Sequence, residues 1–295
     1  MSEEEFGILD VQSAFLRSVS TTRNEVAKIF AEIEQLDRSL STLNQLFYFI
    51  DARSEALFFL ISNGHLWDAE IVLRSFYEAN AKVLYVCYRN QESRKVIIDE
   101  FWGDFAEMHN QKKMSRSTKA LEMTTRFGSE ADSRVFAFLG RDDIFKMSPK
   151  NKAYRRDLEG KWSFSEIIKY LETDAKELAP LKGVAALSHM YGMQSHLCHA
   201  DDVALDLMRD HATRQPEERR LKELSHICRM FSDVSSFWLF SLEALQFCVG
   251  QPFDRKSEVW DLWHELSVKS KPIKEAFEKS QNAFYDIWSG QVETP

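Results

Sequence analysis

The chain has 295 residues, of which 44% are hydrophobic and 13% aromatic, enough to build a sizeable core. With only 10 glycines and 6 prolines, its composition argues against a sandwich, a barrel or long disordered linkers. The net charge of −8 argues against a general nucleic-acid coat, although a local basic patch can still bind phosphate. The first residues lack the apolar segment of a signal peptide, and no apolar run reaches the length of a membrane-spanning helix. We therefore expect a cytoplasmic protein without a membrane segment.

Apolar residues at helical spacing predict helices along most of the chain. The predicted helices cover residues 10–38 with a break at 20–25, 41–63, 65–90, a pair over 93–125, 162–177, 188–202, 217–249 and 256–288. The least periodic region, 127–160, is predicted to be the longest loop. Because few helix breakers separate these helices, we predict an all-α, up-and-down helical bundle. We expect a single domain over residues 1–295, with a core of about 20–250 and a C-terminal helix, 255–290, that packs on this core or on a partner.

Residues 188–202 hold three of the eight histidines and carry a polar stripe on one predicted helix. On a helical wheel the stripe falls within an arc of about 80°. Its members are Ser188, Tyr191, Ser195, His199 and Asp202, and the opposite face holds Met190, Met193, Leu197, Ala200 and Ala204. This helix therefore combines a packing face with a row of hydroxyls, an imidazole and a carboxylate.

The helix predicted at 65–90 is apolar over much of its circumference, yet it carries Arg74 and Glu78 four residues apart. An arginine on a largely buried helix requires a partner. Two interpretations stay open: a structural Arg74–Glu78 ion pair, or an Arg74 directed at an anion or at the polar stripe. For His199 the alternatives are general acid/base chemistry, such as metal-free RNA cleavage, and an ordinary hydrogen-bonded histidine.

The histidines do not predict a metal site. His189 and His196 lie roughly 10 Å apart along a helix axis, too far to share one ion. A di-iron bundle requires two Glu-x-x-His motifs, and the sequence has one, Glu223–His226. No glycine-rich phosphate loop and no dinucleotide signature occurs. We predict no metal and no cofactor, and we retain a metal-dependent helical-bundle enzyme as the third functional hypothesis.

Two segments resemble the signature stretches of a bacterial all-helical family of unknown function. These are Leu73-Arg-Ser-Phe-Tyr-Glu-Ala79, with an Arg-x-x-x-Glu pattern, and Tyr191-Gly-Met-Gln-Ser-His-Leu-Cys-His199, with a Tyr-x-x-x-Ser-x-x-x-His pattern. The resemblance covers most of residues 40–205. The second segment is also similar, more distantly, to the HEPN superfamily, whose ribonucleases carry an arginine, a polar residue and a histidine on one helix. There Ser195 takes the polar position and His199 the catalytic histidine, while Gln194 stands in place of the arginine.

The resemblance implies a HEPN-like core with additional helices and a toxin or anti-phage defence protein that acts on RNA, often as a dimer. His199 would be the acid/base and Arg74 the phosphate or structural cation. Ser195 and Tyr191 would form hydrogen bonds around them, and Glu78 would hold Arg74. The spacing of Arg220 and His226 also fits the loose HEPN pattern, but it lacks the polar residue and we ascribe it to chance.

The second hypothesis is a non-catalytic interaction or regulatory protein of a defence or toxin–antitoxin system. The glutamine at position 194 and the acidic balance favour it. A homodimer or a partner protein would then bind through helical surfaces, marked near the C-terminus by Trp260, Trp263 and Trp288.

Overall fold

The structure is a computed structural model that describes residues 3–141, 152–173 and 184–288. Within these ranges all regular elements are helical, so the predicted all-α fold is confirmed. The helices are α1 (Glu3–Glu32), α2 (Arg38–Ser62), α3 (Leu66–Cys87), α4 (Gln91–Glu100), α5 (Ala106–Phe127), α6 (Glu130–Leu139), α7 (Lys152–Lys161), α8 (Phe164–Thr173), α9 (Val184–His199), α10 (Asp202–Thr213), α11 (Pro216–Cys248) and α12 (Glu258–Trp288). A π-helical turn, Phe101–Phe105, joins α4 to α5. No helix in the described ranges is both long and apolar enough to cross a membrane.

Contacts divide the chain into two compact units. The first comprises Met1–Tyr88 and Ile168–Pro295, and the second comprises Arg89–Ile167. The single-domain organisation over residues 1–295 stays a prediction.

The first unit is a helical bundle in which α3 and α11 lie side by side and run parallel. Their direction follows from two contacts, since Glu70 bonds Arg229 near one end and Asn80 accepts a hydrogen bond from Ser241 (2.8 Å) further along. Both helices are apolar over much of their surface and therefore form the centre of the bundle. α2 precedes α3 through a tight turn, in which Gly64 adopts a φ of +78° that favours glycine.

The core of this unit is densely aromatic where α1, α2 and α11 meet. Phe15 and Phe231 stack with ring centroids 4.2 Å apart. Trp238 is fully buried, and its indole Nε1–H donates to the Ser54 hydroxyl at 2.9 Å. Burying each such ring stabilises the fold by about 1.5–3 kcal/mol, and the hydrogen bond removes the cost of an unpaired indole donor.

The C-terminal helix α12 packs on α1 and α11 within the first unit. Trp263 donates from its indole Nε1 to the Ser236 hydroxyl (3.0 Å), and Lys274 donates to the Ser232 hydroxyl (3.0 Å). Since numbering rises along α12 as it falls along α11, the two helices are antiparallel. The last helix therefore belongs to the bundle of its own chain.

The second unit consists of α4 to α7, the π-helical turn and the start of α8. Its apolar centre contains Phe101, Phe105 and Trp162, with the first and third ring centroids 5.0 Å apart. Glu100 accepts hydrogen bonds from the Trp162 indole (2.8 Å) and from Lys161 (2.7 Å). The carboxylate thereby fixes the end of α7 against α4.

Two boundary predictions are wrong. α1 runs without the predicted break at 20–25, because the Thr22 hydroxyl donates to the Ser18 carbonyl (2.7 Å) inside the helix instead of capping a new one. The predicted loop at 127–160 contains α6 and α7, each only ten residues long. Residues 142–151 of that region lie outside the described ranges.

Candidate functional site

The polar stripe predicted on residues 188–202 does not lie on one helix, and that prediction is wrong. α9 ends at His199, and Ala200 adopts a left-handed conformation with φ +48°. Asp201 then caps a new helix by accepting a hydrogen bond from the Ala204 amide (3.2 Å). Asp202 consequently belongs to α10 and falls out of register with the remaining members of the stripe, and Ala204 of the predicted packing face also lies on α10.

Asp201 also anchors the end of α9. Its second carboxylate oxygen lies 2.6 Å from Nδ1 of His196, so one side chain joins the last turn of α9 to the first turn of α10. This hydrogen bond lowers the pKa of Asp201, although burial opposes it slightly. His196 therefore takes part in the contact that links α9 to α10.

α9 packs antiparallel on α3. Gln194 donates to Glu70 (3.1 Å), and Tyr191 donates to Glu78 (2.6 Å), so position numbers fall along α9 as they rise along α3. This register brings Tyr191 beside the Arg74–Glu78 pair that the sequence singled out.

Arg74, Glu78 and Tyr191 form one hydrogen-bonded group, which we call the Arg74 cluster. The Tyr191 hydroxyl accepts from Arg74 Nη2 at 2.9 Å and donates to Glu78 Oε1 at 2.6 Å. Arg74 Nε lies 3.5 Å from the same Glu78 oxygen. The guanidinium carbon sits 4.4 Å from the Tyr191 ring centroid, within cation–π distance. Both open interpretations of Arg74 therefore hold in part, because it is paired with Glu78 and also faces α9.

The electrostatics of the Arg74 cluster keep Tyr191 protonated. Burial and the Glu78 carboxylate raise the pKa of Tyr191 to about 12, and Arg74 offsets only part of this rise. At neutral pH the phenol is a hydrogen-bond donor to Glu78 and not a base. Arg74 Nη1 is buried and has no acceptor in the described part of the chain. The cluster thus contains a charged donor that is not satisfied by its neighbours.

Ser195 and His199 lie further along α9. His199 is exposed at the last helical position, and the described residues offer it no hydrogen bond or ion pair. It follows Tyr191 by eight residues, which is about 12 Å along the helix axis. Because α9 is antiparallel to α3, this direction leads away from Arg74. The structure therefore brings Arg74, Glu78 and Tyr191 together and places His199 apart from them, whereas Ser195 lies one helical turn from Tyr191 on α9.

A second group of charged side chains, centred on Glu70, was not predicted from the sequence. Glu70 is 3% exposed and accepts hydrogen bonds from Arg229 and Gln194. Its carboxylate also lies 3.4 Å from Nδ1 of His226. Burial raises the pKa of Glu70, but Arg229 and His226 outweigh burial and lower it to about 2. We call these four residues, together with Asp233 and Tyr77, the Glu70 network.

The Glu70 network continues along α11. Arg229 donates to Asp233 (2.9 Å), and Asp233 accepts a hydrogen bond from the Tyr77 hydroxyl (2.6 Å). Burial raises the pKa of Asp233, and Arg229 opposes this shift. The network therefore balances one guanidinium against two carboxylates in a largely desolvated place.

Position 194, which the sequence singled out, takes part in the Glu70 network. Gln194 is 1% exposed and its amide bonds the buried Glu70, so this side chain is a packing contact between α9 and α3. The signal that could have revealed the network was present in the sequence. Glu70 stands four residues before Arg74, and Arg229 stands four residues before Asp233, on helices that are otherwise apolar.

The described residues contain no group of three histidine, cysteine, aspartate or glutamate side chains that could hold a metal ion. Glu223 of the lone Glu-x-x-His motif contacts His211 (3.3 Å), whereas His226 contacts Glu70 (3.4 Å). The two members of the motif thus face different partners. All four cysteines are free thiols.

Residues 42–216, more than half of the chain, match the model of a family of unknown function, DUF5677. The chain belongs to this family. The DUF5677 match includes the whole Arg74 cluster and His199, so the resemblance predicted from two short segments is confirmed. The matched region ends at Pro216, the first residue of α11. Arg229 and Asp233 therefore contribute to the Glu70 network from outside the family region. No curated protein and no solved structure matches the chain.

Proposed function

We propose that the protein acts on RNA in the cytoplasm as a metal-independent ribonuclease of the toxin or anti-phage defence type, working as a dimer with a HEPN-like core. The observation that carries the proposal is the unsatisfied donor of Arg74. Arg74 Nη2 is bonded to Tyr191 and Nε faces Glu78, but Nη1 is buried without an acceptor among the described residues. A buried charged donor without a partner is costly, and an acceptor from a ligand removes that cost.

Phosphate is the acceptor that best fits this donor. Arginine binds phosphate oxygens through charge-assisted hydrogen bonds, and its planar group is held here against the Tyr191 ring. Tyr191 and Glu78 fix the guanidinium, so the entropy of ordering it is lost before the ligand binds. In this proposal Arg74 anchors a backbone phosphate of the RNA.

His199 acts as the acid/base on the same strand. Its exposed imidazole lies about 12 Å along α9 from Tyr191, so Arg74 and His199 contact different nucleotides. Attack by the 2′-hydroxyl oxygen on the neighbouring phosphorus forms a 2′,3′-cyclic phosphate and breaks the bond to the 5′-oxygen. In this proposal His199 removes the hydroxyl proton, and water protonates the leaving 5′-oxygen. Histidine performs such transfers near neutral pH, and Ser195 lies one turn before it on the same helix.

The decisive experiment measures cleavage of a fluorescent single-stranded RNA in the presence of a chelator. His199→Ala is expected to lower the cleavage rate by about 10²- to 10⁴-fold, the usual contribution of general acid/base catalysis. His189→Ala is the matched control, because His189 is another exposed histidine on α9. Arg74→Gln is expected to weaken RNA binding more than it lowers the rate at saturating RNA. Full activity of the His199→Ala variant, or equal losses in both histidine variants, would rule out the proposed role of His199.

A non-catalytic interaction protein is the second candidate, and exposed aromatic residues on α2 favour it. Tyr48 and Phe59 are 80% and 66% exposed and lie about three turns apart on the same side of the helix. The tryptophans predicted to mark such a surface are less accessible, since Trp260 and Trp263 pack against each other at 4.9 Å. The side chain of Trp288 lies outside the described residues.

Light scattering tests this candidate. If α2 forms the interface, the double variant Tyr48→Glu and Phe59→Glu converts a dimer into a monomer while the helical content is retained. Asn24→Glu serves as the control, because it adds a charge at an exposed position of α1, outside the proposed α2 interface. A monomeric wild type, or a dimer that survives the double substitution, would remove α2 as the interface.

A further inference from the structure

The first unit contains a pocket of about 420 Å³ that is separate from the Arg74 cluster. It opens between α1, the turn from α2 to α3, α10 and α11. This volume lies in the range of pockets that enclose small ligands, about 300–1,000 Å³. Its walls are partly apolar, with several isoleucines, and partly polar, and the side chains used below are Gln12, Ser62, Trp67, His211, Arg220 and Glu223.

One side of the pocket carries a fixed set of polar groups. Glu223 lies 3.3 Å from His211 Nε2 and 3.7 Å from Arg220 Nη1, so a single carboxylate positions both. Burial lowers the pKa of His211 although Glu223 opposes this shift. Burial thus favours the neutral ring, which lies beside the Glu223 carboxylate. Arg220 is half exposed and keeps several donors directed to solvent or ligand.

The other side of the pocket is formed by the indole of Trp67, which neighbouring side chains hold in place. Trp67 meets the His211 ring edge-to-face at 5.5 Å and the His226 ring at 5.9 Å, while Lys222 lies 5.9 Å above the indole. These neighbours fix the orientation of the indole before any ligand enters. Trp67 also lies in the first turn of α3, whose N-terminus has no side-chain cap and so leaves backbone N–H donors for a ligand, beside the acidic Asp68 of the same turn.

We propose that this pocket binds a nucleoside monophosphate group, either as a free mononucleotide or as the terminal nucleotide of an RNA strand. Arg220 and the start of α3 bind the phosphate. Trp67 and the isoleucines of the wall pack against the base, and Gln12 and Ser62 offer hydrogen bonds to its edge. The proposal stands on residues that the Arg74 cluster does not use, so either can fail without the other.

Isothermal titration calorimetry of the full chain with AMP, adenosine and inorganic phosphate tests the pocket. AMP is expected to bind, and adenosine and phosphate are each expected to bind at least about tenfold more weakly, since each lacks one half of the recognised group. Arg220→Gln is expected to weaken AMP binding by about 10- to 100-fold. Arg209→Gln is the control, because this exposed arginine pairs with Asp206 (2.8 Å) away from the pocket.

Two further measurements complete the test. Ser62→Phe places a ring in the pocket mouth at an exposed position, and it is expected to abolish AMP binding while the circular dichroism spectrum is unchanged. A 5′-phosphorylated dinucleotide that binds more tightly than AMP identifies the end of an RNA strand as the ligand, and weaker binding identifies a free mononucleotide. Arg74→Gln is expected to leave AMP binding intact. No AMP binding by the wild type, or equal affinity of the Arg220→Gln variant, would overturn the proposal.

Discussion

At the scale of single residues, Glu70 and Arg229 determine how α3, α9 and α11 meet. Glu70 accepts hydrogen bonds from α9 and α11 at once, and Arg229 links it to Asp233. Such a buried network contributes little net stability when intact, because desolvation offsets the attraction. Breaking it is costly, since each remaining charge stays buried without its partner. We therefore expect the network to constrain which helices can pack together more than it strengthens their packing.

We therefore expect Arg229→Met to destabilise the protein by about 3–5 kcal/mol, because Glu70 and Asp233 lose their shared cation while the apolar volume is kept. Chemical denaturation followed by circular dichroism measures the change. Arg209→Met is the matched control, for its exposed ion pair with Asp206 contributes about 0–1 kcal/mol. Similar losses in both variants would show that the buried pair is no more important than a surface one.

At the scale of elements, the corner between α9 and α10 depends on Ala200 in a left-handed conformation. A side chain with a Cβ atom pays about 1–2 kcal/mol there, whereas glycine is free of this strain but loses more entropy on folding. Ala200→Gly is expected to stabilise the protein by about 0.5–1 kcal/mol, seen as a higher denaturation midpoint at an unchanged slope. Ala212→Gly, at an exposed helical position of α10, is expected to destabilise it by about 1 kcal/mol. The opposite result at Ala200 would argue that the corner is helical in solution.

This corner also shows how far the sequence predicts the structure. Long apolar patterns predicted α2, α3, α11 and α12 to within a few residues, because burial of one face determines where such helices lie. The pattern could not reveal the corner at Ala200, since no proline or glycine marks it. The polar and apolar faces on a helical wheel also continue through it without a break. The Arg74–Glu78 pair followed from spacing alone. Its contact with Tyr191 depended on the antiparallel register of α3 and α9, which is a tertiary property.

At the scale of the whole molecule, the Glu70 network makes the free energy of unfolding depend on pH in the acid range. The pKa of Glu70 is lowered from 4.5 to about 2 in the folded state. A carboxyl group whose pKa is lower in the folded than in the unfolded state stabilises the fold at pH values above its unfolded pKa. For Glu70 this contribution is lost as pH falls from about 4.5 towards 2. Burial raises the pKa of Asp233, so this carboxylate destabilises the fold while it is ionised, and that cost is relieved as pH falls through its raised folded pKa towards the unfolded value. The contribution of Glu70 is therefore isolated by comparing the wild type with a variant that lacks only the Glu70 carboxylate.

Between about pH 4.5 and 2, the wild type is expected to lose up to about 3 kcal/mol that the Glu70→Gln variant does not lose. The Glu70→Gln variant starts from lower stability at neutral pH and has the flatter profile. Urea denaturation at several pH values measures both. Glu217→Gln, which removes an exposed carboxylate from α11, is expected to run parallel to the wild type. Parallel profiles for all three proteins would contradict the predicted role of Glu70.

The π-helical turn at Phe101–Phe105 has a consequence for relatives of this chain. A π-turn contains one residue more than an α-helical turn of similar rise. Compared with an uninterrupted α-helix of the same number of residues, every later side chain is therefore shifted by about 100° around the helix axis. The turn lies inside the family region, between α4 and α5. A relative that is one residue shorter at this point would form an uninterrupted α-helix, yet its α5 side chains would keep the same faces. An alignment gap there would thus record a change of helical winding rather than a change of loop length.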